Sequence, residues 1–153
     1  MILKIGTKDV LYKTRDMDWG GDIKIYTDFE DFTKQFHPSL QSSGIRVLKQ
    51  YRGNGCNGIY KVMPGISSQE VKLIHAKGDG EAIVLSWNDF YDRFKPFFLN
   101  DGLLIDQEWN KHIANGMVRC YLAGAKVAGF GYQEINALYE SYSETYIPPG
   151  KRY

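Results

Sequence analysis

The sequence predicts an α+β fold in which a mostly antiparallel sheet carries packed helices. Three observations point there. Stretches that alternate apolar and polar residues outnumber stretches with helical spacing. Consecutive strand-like stretches follow one another as hairpins, without the βαβ alternation of a parallel sheet. Aromatic residues, which favour sheets, are abundant: eleven Tyr, eight Phe and three Trp in 153 residues. That length is one domain with enough chain to bury a core.

Each element has a local reason. Thr7 is placed to cap a short helix through TKDVLYKTRDM, which ends by Asp16 and Asp18 at the Trp19-Gly20-Gly21 turn. DIKIY alternates as a strand. Asp28 opens a second helix, DFEDFTKQF, with Phe29, Phe32 and Phe36 on one face and an expected stop before Pro38. IRVLKQY and NGIYKV are strands pairing around a loop at 52–56. QEVKLIHA and EAIVLS form the next pair, with KGDG as their turn. Ser86 caps WNDFYDRFKPFF, which sets Trp87, Phe90 and Phe94 on one face. LLIDQEW, GMVRCYLA and KVAGFGY read as strands, the last two joined at Gly124-Ala125. The domain is expected to cover residues 1–139. Residues 140–153, polar and broken by Pro-Pro-Gly, are expected to leave it as a tail.

A net charge of +1 provides no whole-molecule field for gathering nucleic acid or anionic lipid, so neither is expected as a partner. There is no apolar run of membrane-spanning length and no signal-peptide pattern. Cys56 and Cys120 are too few and too far apart for a disulfide framework or a metal pair, which fits a reducing, cytoplasmic setting. His37, His75 and His112 have no mutual spacing suited to a metal.

Chemistry is then sought in local patterns. In RVLKQYRGNGCNGIYKV, Gly53, Gly55 and Gly58 remove side chains where a backbone bends or approaches something closely. The functional reading makes this loop, with Arg52 and Asn54, a cradle of N–H donors for phosphate oxygens, and Lys49 its cation. The plain reading is a Gly/Asn-rich hairpin connection. Between two strands, GNGCNG lacks the helix N-terminus of a dinucleotide fingerprint and the Gly-Lys-Ser/Thr of a P-loop. Lys77-Gly78-Asp79-Gly80 matches the Lys-x-Asp-Gly of nucleotidyltransferases, yet turn chemistry alone accounts for it. Arg119 shares a strand face with Met117 and Tyr121. On a strand expected to be central, its guanidinium needs an anionic partner, which makes it a candidate phosphate or carboxylate ligand.

Taken in order, three motifs resemble the ATP-grasp fold. They are Val47-Leu48-Lys49 before a glycine-rich hairpin loop, Asp106-Gln107-Glu108-Trp109, and Met117-Val118-Arg119 with LAGAKVAGFG. The likeness covers roughly residues 4–139 and is greatest to uncharacterised bacterial ATP-grasp-like proteins carrying GTKDVLYKTR and the glycine loop in this order. It implies ATP and Mg2+ as cofactors, with Lys49 on the phosphates and the 53–58 loop closing over them. Gln107, Glu108 and Trp109 would present backbone groups to adenine, and Lys8 would be the family's first lysine. Arg119 would stabilise a transferred phosphoryl group or an acyl-phosphate. The implied reaction joins an unknown carboxylate substrate to an amine or thiol. The family's metal strand ends in Glu-x-Asn followed by Pro-Gly. Here Glu134-Ile135-Asn136 comes only a few residues after the hairpin, and Pro148-Pro149-Gly150 lies further on. The module is therefore expected to be incomplete, and to need a completing chain or a second copy for ligase activity. The alternative is a non-catalytic nucleotide-binding or interaction module.

Overall fold

The computed structural model describes residues 7–53, 56–77 and 81–135. Its elements run α1 (Asp9–Lys13), β1 (Ile23–Tyr26), α2 (Phe29–Ser43), β2 (Arg46–Gln50), β3 (Ile59–Pro64), β4 (Glu70–His75) and β5 (Ala82–Ser86). Then come α3 (Trp87–Phe94), β6 (Leu104–Glu108), β7 (Met117–Ala123) and β8 (Lys126–Gln133). Among the described residues six strands form one sheet in the order β1-β6-β2-β3-β4-β5, and β7 and β8 form a second, two-stranded sheet. Every pairing is antiparallel. This is the α+β architecture the sequence predicts.

Capping follows the sequence at two of three helices. Asp28 accepts the Asp31 N–H at 2.8 Å to start α2. Ser86 accepts the Asp89 N–H at 3.2 Å and donates to the Asp89 carboxylate at 2.6 Å to start α3. Thr7, however, is not the cap of α1. Lys8 holds that position in the right-handed helical region, without a side-chain cap, and the helix spans five residues only. A Lys13–Asp9 ion pair at 2.6 Å supports it instead.

The expected stop before Pro38 is overturned as well, because α2 continues through Pro38 to Ser43. A proline inside a helix costs about 3 kcal/mol through its missing donor and its clash with the preceding turn. The buried stripe outweighs that cost, since Leu40 extends the face of Phe32 and Phe36 into the core. The helix ends at Gly44, whose φ of 76° suits a residue without a Cβ.

One face of the large sheet packs on α2 and α3. Tyr26, Leu48, Tyr60, Val62, Val71, Leu73 and Leu104 meet Phe32, Phe36, Leu40, Phe90 and Phe94 there. Phe36 and Phe90 stack at 5.4 Å between centroids. Buried in the same face is an ionic cluster. Arg46 Nε donates to Asp106 Oδ1 at 2.6 Å, and its NH1 group pairs with the Asp22 carboxylate. Tyr26 donates to Asp106 Oδ2 at 2.8 Å. Burial raises the Asp106 pKa above the ordinary carboxylate value, opposed by its bonds to Arg46 and Tyr26. Burial also works against the Arg46 charge, but Asp106 and then Asp22 hold its pKa above the ordinary value. The cluster spans β1, β2 and β6 and fixes their alignment.

Strand alternation sends the next residues to the opposite face. The cross-strand rows there are Ile23–Gln107–Val47–Lys61–Ile74 and Ile25–Ile105–Lys49–Ile59. Lys49 thus stands on the face away from the helices, between two isoleucines.

Candidate functional site

That second face and the β7–β8 hairpin enclose a cleft of about 330 Å³. Val47, Ile59 and Met117 give it an apolar wall, while Lys49, Arg119, Glu108 and Glu134 bring charges into it. The glycine loop contributes Cys56, and β6 with its exit contributes Gln107, Trp109 and Asn110. Two larger depressions, of about 660 and 530 Å³, lie by residues 96–103 and by residues 19–23. The smaller cleft is the better candidate, because opposite charges from four strands or their exits converge on an apolar wall there.

Lys49 is its most buried cation. Its ammonium donates to Gln107 Oε1 at 2.5 Å. Burial lowers its pKa below the ordinary lysine value, and the nearby Lys8 charge lowers it further. Lys8 is itself lowered by burial and partly restored by Cys56. Lys8 also ties the N-terminal segment to the loop, since its Nζ donates to the Gly53 carbonyl at 3.2 Å and its backbone N–H to Tyr51 at 3.1 Å. Burial and the nearby Lys8 charge both work against the Lys49 ammonium, so this is a place where an anion is favoured. The distance between the two lysines in sequence conceals this.

The other predicted residues divide. Arg119 reaches the cleft, but not from an inner strand. Among the described residues β7 pairs with β8 alone, and Arg119 is exposed, so its charge needs no buried partner. Arg52 lies over the Tyr51 ring at 5.3 Å and lines the 660 Å³ depression instead. The backbone N–H groups of Glu108 and Trp109 already donate to Asp22 at 3.0 Å and Ile45 at 3.4 Å. A base docked there must use other groups. The Trp109 ring stacks on the Lys61 ammonium at 4.2 Å. Gly58 has an internal explanation, since a Cβ there would stand 2.3 Å from Gln50 Oε1 and 2.4 Å from its Cβ. Gly53 has no such conflict. Asn54, Gly55, the Gly78-Asp79-Gly80 turn, Asn136 and the tail at 140–153 lie outside the described residues.

Sequence reasoning gave Gln107 a backbone role and missed its side chain as the Lys49 acceptor. No local pattern carried a signal for it, because β2 and β6 become neighbours only in the folded sheet. Among the described residues there is no group of three or more His, Cys, Asp or Glu arranged to hold a metal ion, and no helix is long and apolar enough to cross a membrane. No protein family, curated protein or solved structure matches the chain.

Proposed function

We propose that the chain is the ATP-binding part of an ATP-grasp-type ligase that joins a carboxylate to an amine or thiol through an acyl-phosphate. The observation that carries this reading is the convergence of Lys49, the Gln107–Trp109 segment and Arg119 on one cleft beside the glycine loop. These are the ordered motifs of the resemblance, and they come from separate strands. Lys49 and Lys8 would take phosphate oxygens, and Val47, Ile59 and Met117 would cover the base. The substrate carboxylate would attack the γ-phosphorus, ADP would leave, and the amine or thiol would then displace phosphate from the acyl-phosphate. Arg119 would balance charge on the phosphoryl oxygens during transfer. Magnesium would screen those phosphates in such a reaction, but the described residues do not assemble a ligand set for it. A second reading, a non-catalytic nucleotide-binding or interaction module, is favoured by the exposed apolar outer face of β7–β8.

Calorimetric titration with ATP, with and without magnesium, tests the proposal. Lys49→Ala should weaken binding by about 1.5–3 kcal/mol, the range for a hydrogen bond to a charged group. Its melting temperature should barely change, because burial already disfavours the Lys49 charge. The pH dependence has a definite sign. Phosphate binding favours the ammonium and raises the lowered Lys49 pKa, so affinity should fall as pH rises through that pKa toward 10.5. Wild-type binding that Lys49→Ala leaves untouched would reduce the glycine loop to a plain hairpin connection.

A further inference from the structure

Lys49 differs from the other inward cations of the large sheet in what it meets. Arg46 has two carboxylates, and Lys24 donates to Ser39 Oγ at 2.8 Å on the covered face. The Lys49 ammonium has a neutral acceptor, Gln107 Oε1. Among the described residues neither Lys49 nor Arg119 forms an ion pair. The cross-strand neighbours of Lys49 are Ile105 and Ile59, and its side chain opens onto the cleft beside the apolar wall. Glu108, Glu134 and Cys56 line the same cleft, yet none of them is bonded to Lys49. Burial and the Lys8 charge hold its pKa below the ordinary lysine value. At a given pH such a lysine carries more neutral amine than an exposed one, and the neutral amine is a nucleophile.

We propose that Lys49 is an imine-forming lysine and that its cleft takes a small aldehyde bearing an anionic group. The amine nitrogen bonds to the aldehyde carbon. Its two protons leave with the aldehyde oxygen as water, and a C=N bond joins Lys49 to the ligand. No oxidant or reductant is consumed. The rest of the cleft selects the ligand. Arg119 lines it without an ion pair, so a carboxylate or phosphate on the aldehyde has a guanidinium to meet. Lys8 adds positive charge on the same side. Val47, Ile59 and Met117 take the carbon skeleton, and a volume of about 330 Å³ is at the small end for ligand pockets. The inference uses the cleft but not the ATP reading of it.

Reductive trapping tests it. The full chain is incubated with cyanoborohydride, which reduces an imine to a stable secondary amine, and with glyoxylate or pyridoxal 5′-phosphate. These two probes carry the carboxylate and the phosphate, and the one with the stronger preference for Lys49 names the anion. Peptide mapping by mass spectrometry should find the label at Lys49 severalfold sooner than at the exposed Lys126. That lead should be fullest near neutral pH and should close as pH rises toward 10.5, where exposed lysines lose their proton too. Glycolaldehyde, uncharged and close to glyoxylate in size, should show a smaller preference for Lys49. Gln107→Glu sets a carboxylate against the ammonium, and it should slow labelling at Lys49 while leaving Lys126 unchanged. Lys49→Met should lose the site and keep the wild-type circular dichroism. Label spread evenly over the lysines overturns the proposal. So does a Gln107→Glu chain labelled at Lys49 as fast as the wild type, or equal preference from glyoxylate and glycolaldehyde. None of these readouts uses nucleotide, so this inference and the ATP reading fail separately.

Discussion

Arg46 on β2 and Arg119 on β7 have the same side chain in two contrasting sheets. Arg46 lies in the face of the six-stranded sheet that two helices cover, is fully buried, and meets Asp106 and Asp22. Arg119 lies on a hairpin that no third strand joins among the described residues, and it is exposed. The expense of a buried guanidinium therefore applies to the first arginine and not to the second. What differs is the layer behind the strand. A covered sheet turns a charge into a structural part, whereas an uncovered hairpin leaves it available to a ligand.

Truncating the two arginines should separate the sheets most widely. Arg46→Ala leaves Asp106 buried without its cation and should cost about 3–5 kcal/mol of stability. Arg119→Ala should stay within about 0.5 kcal/mol, as exposed positions do. Urea unfolding of both variants measures this. In the Arg46 variant, burial acts on Asp106 without its main opponent, so the raised carboxyl pKa rises further. The folded state then holds a proton that the unfolded state releases, and stability should recover as pH falls through that pKa. Similar losses for the two variants, or a loss at Arg46 that does not shrink in acid, would mean that the cluster is not what holds the covered sheet.

A similar contrast shows how much was legible in the sequence. Strand alternation and hairpin order gave the hairpin pairs, including β2 with β3 around the glycine loop, because those signals are local, but not the place of β6 between β1 and β2. The helix stop at Pro38 was misjudged because Leu40 rewards a longer helix only through contacts made across the fold. The sequence points to a buried arginine on β7, whereas the buried and paired one is Arg46 on β2. No local pattern says which strand will be covered. In the candidate site, Lys49, Arg119 and the Gln107–Trp109 segment were visible as motifs. The pairing of Lys8 with the Gly53 carbonyl, and of Lys49 with the Gln107 side chain, exists only after the chain brings together residues 45 and 58 positions apart.

Within the six-stranded sheet, the glycine loop sharpens the comparison further. Gly58→Ala would put a methyl group against the Gln50 side chain at 2.3 Å. Overpacking of that kind costs about 1–3 kcal/mol. If Gln50 is the obstacle, Gln50→Ala in the same chain should recover most of the loss, and a double-mutant cycle would show the coupling. A neutral Gly58→Ala would mean that Gln50 turns aside freely, and would return Gly58 to the list of residues kept bare for a ligand.

The smallest expected effect lies one turn of the loop earlier and has the opposite sign. Cys56 carries a φ of 63°, in the left-handed region, while neither Gly53 nor Gly58 does. For a residue with a Cβ that conformation costs about 1–2 kcal/mol. Glycine adopts it freely but gives back part of the gain, roughly 0.5–1 kcal/mol, through the extra freedom of the unfolded chain. Cys56→Gly should therefore stabilise the protein by a few tenths to about 1 kcal/mol, read as a higher urea midpoint at unchanged slope. Cys56→Ala is the control, because it removes the thiol and keeps the Cβ, and it should gain nothing. Equal gains from both variants would trace the effect to the sulfur and its neighbour Lys8 instead of the backbone. A loss in the glycine variant would mean that the Cys56 side chain holds the loop against the cleft wall it lines, making the thiol a structural part of the site.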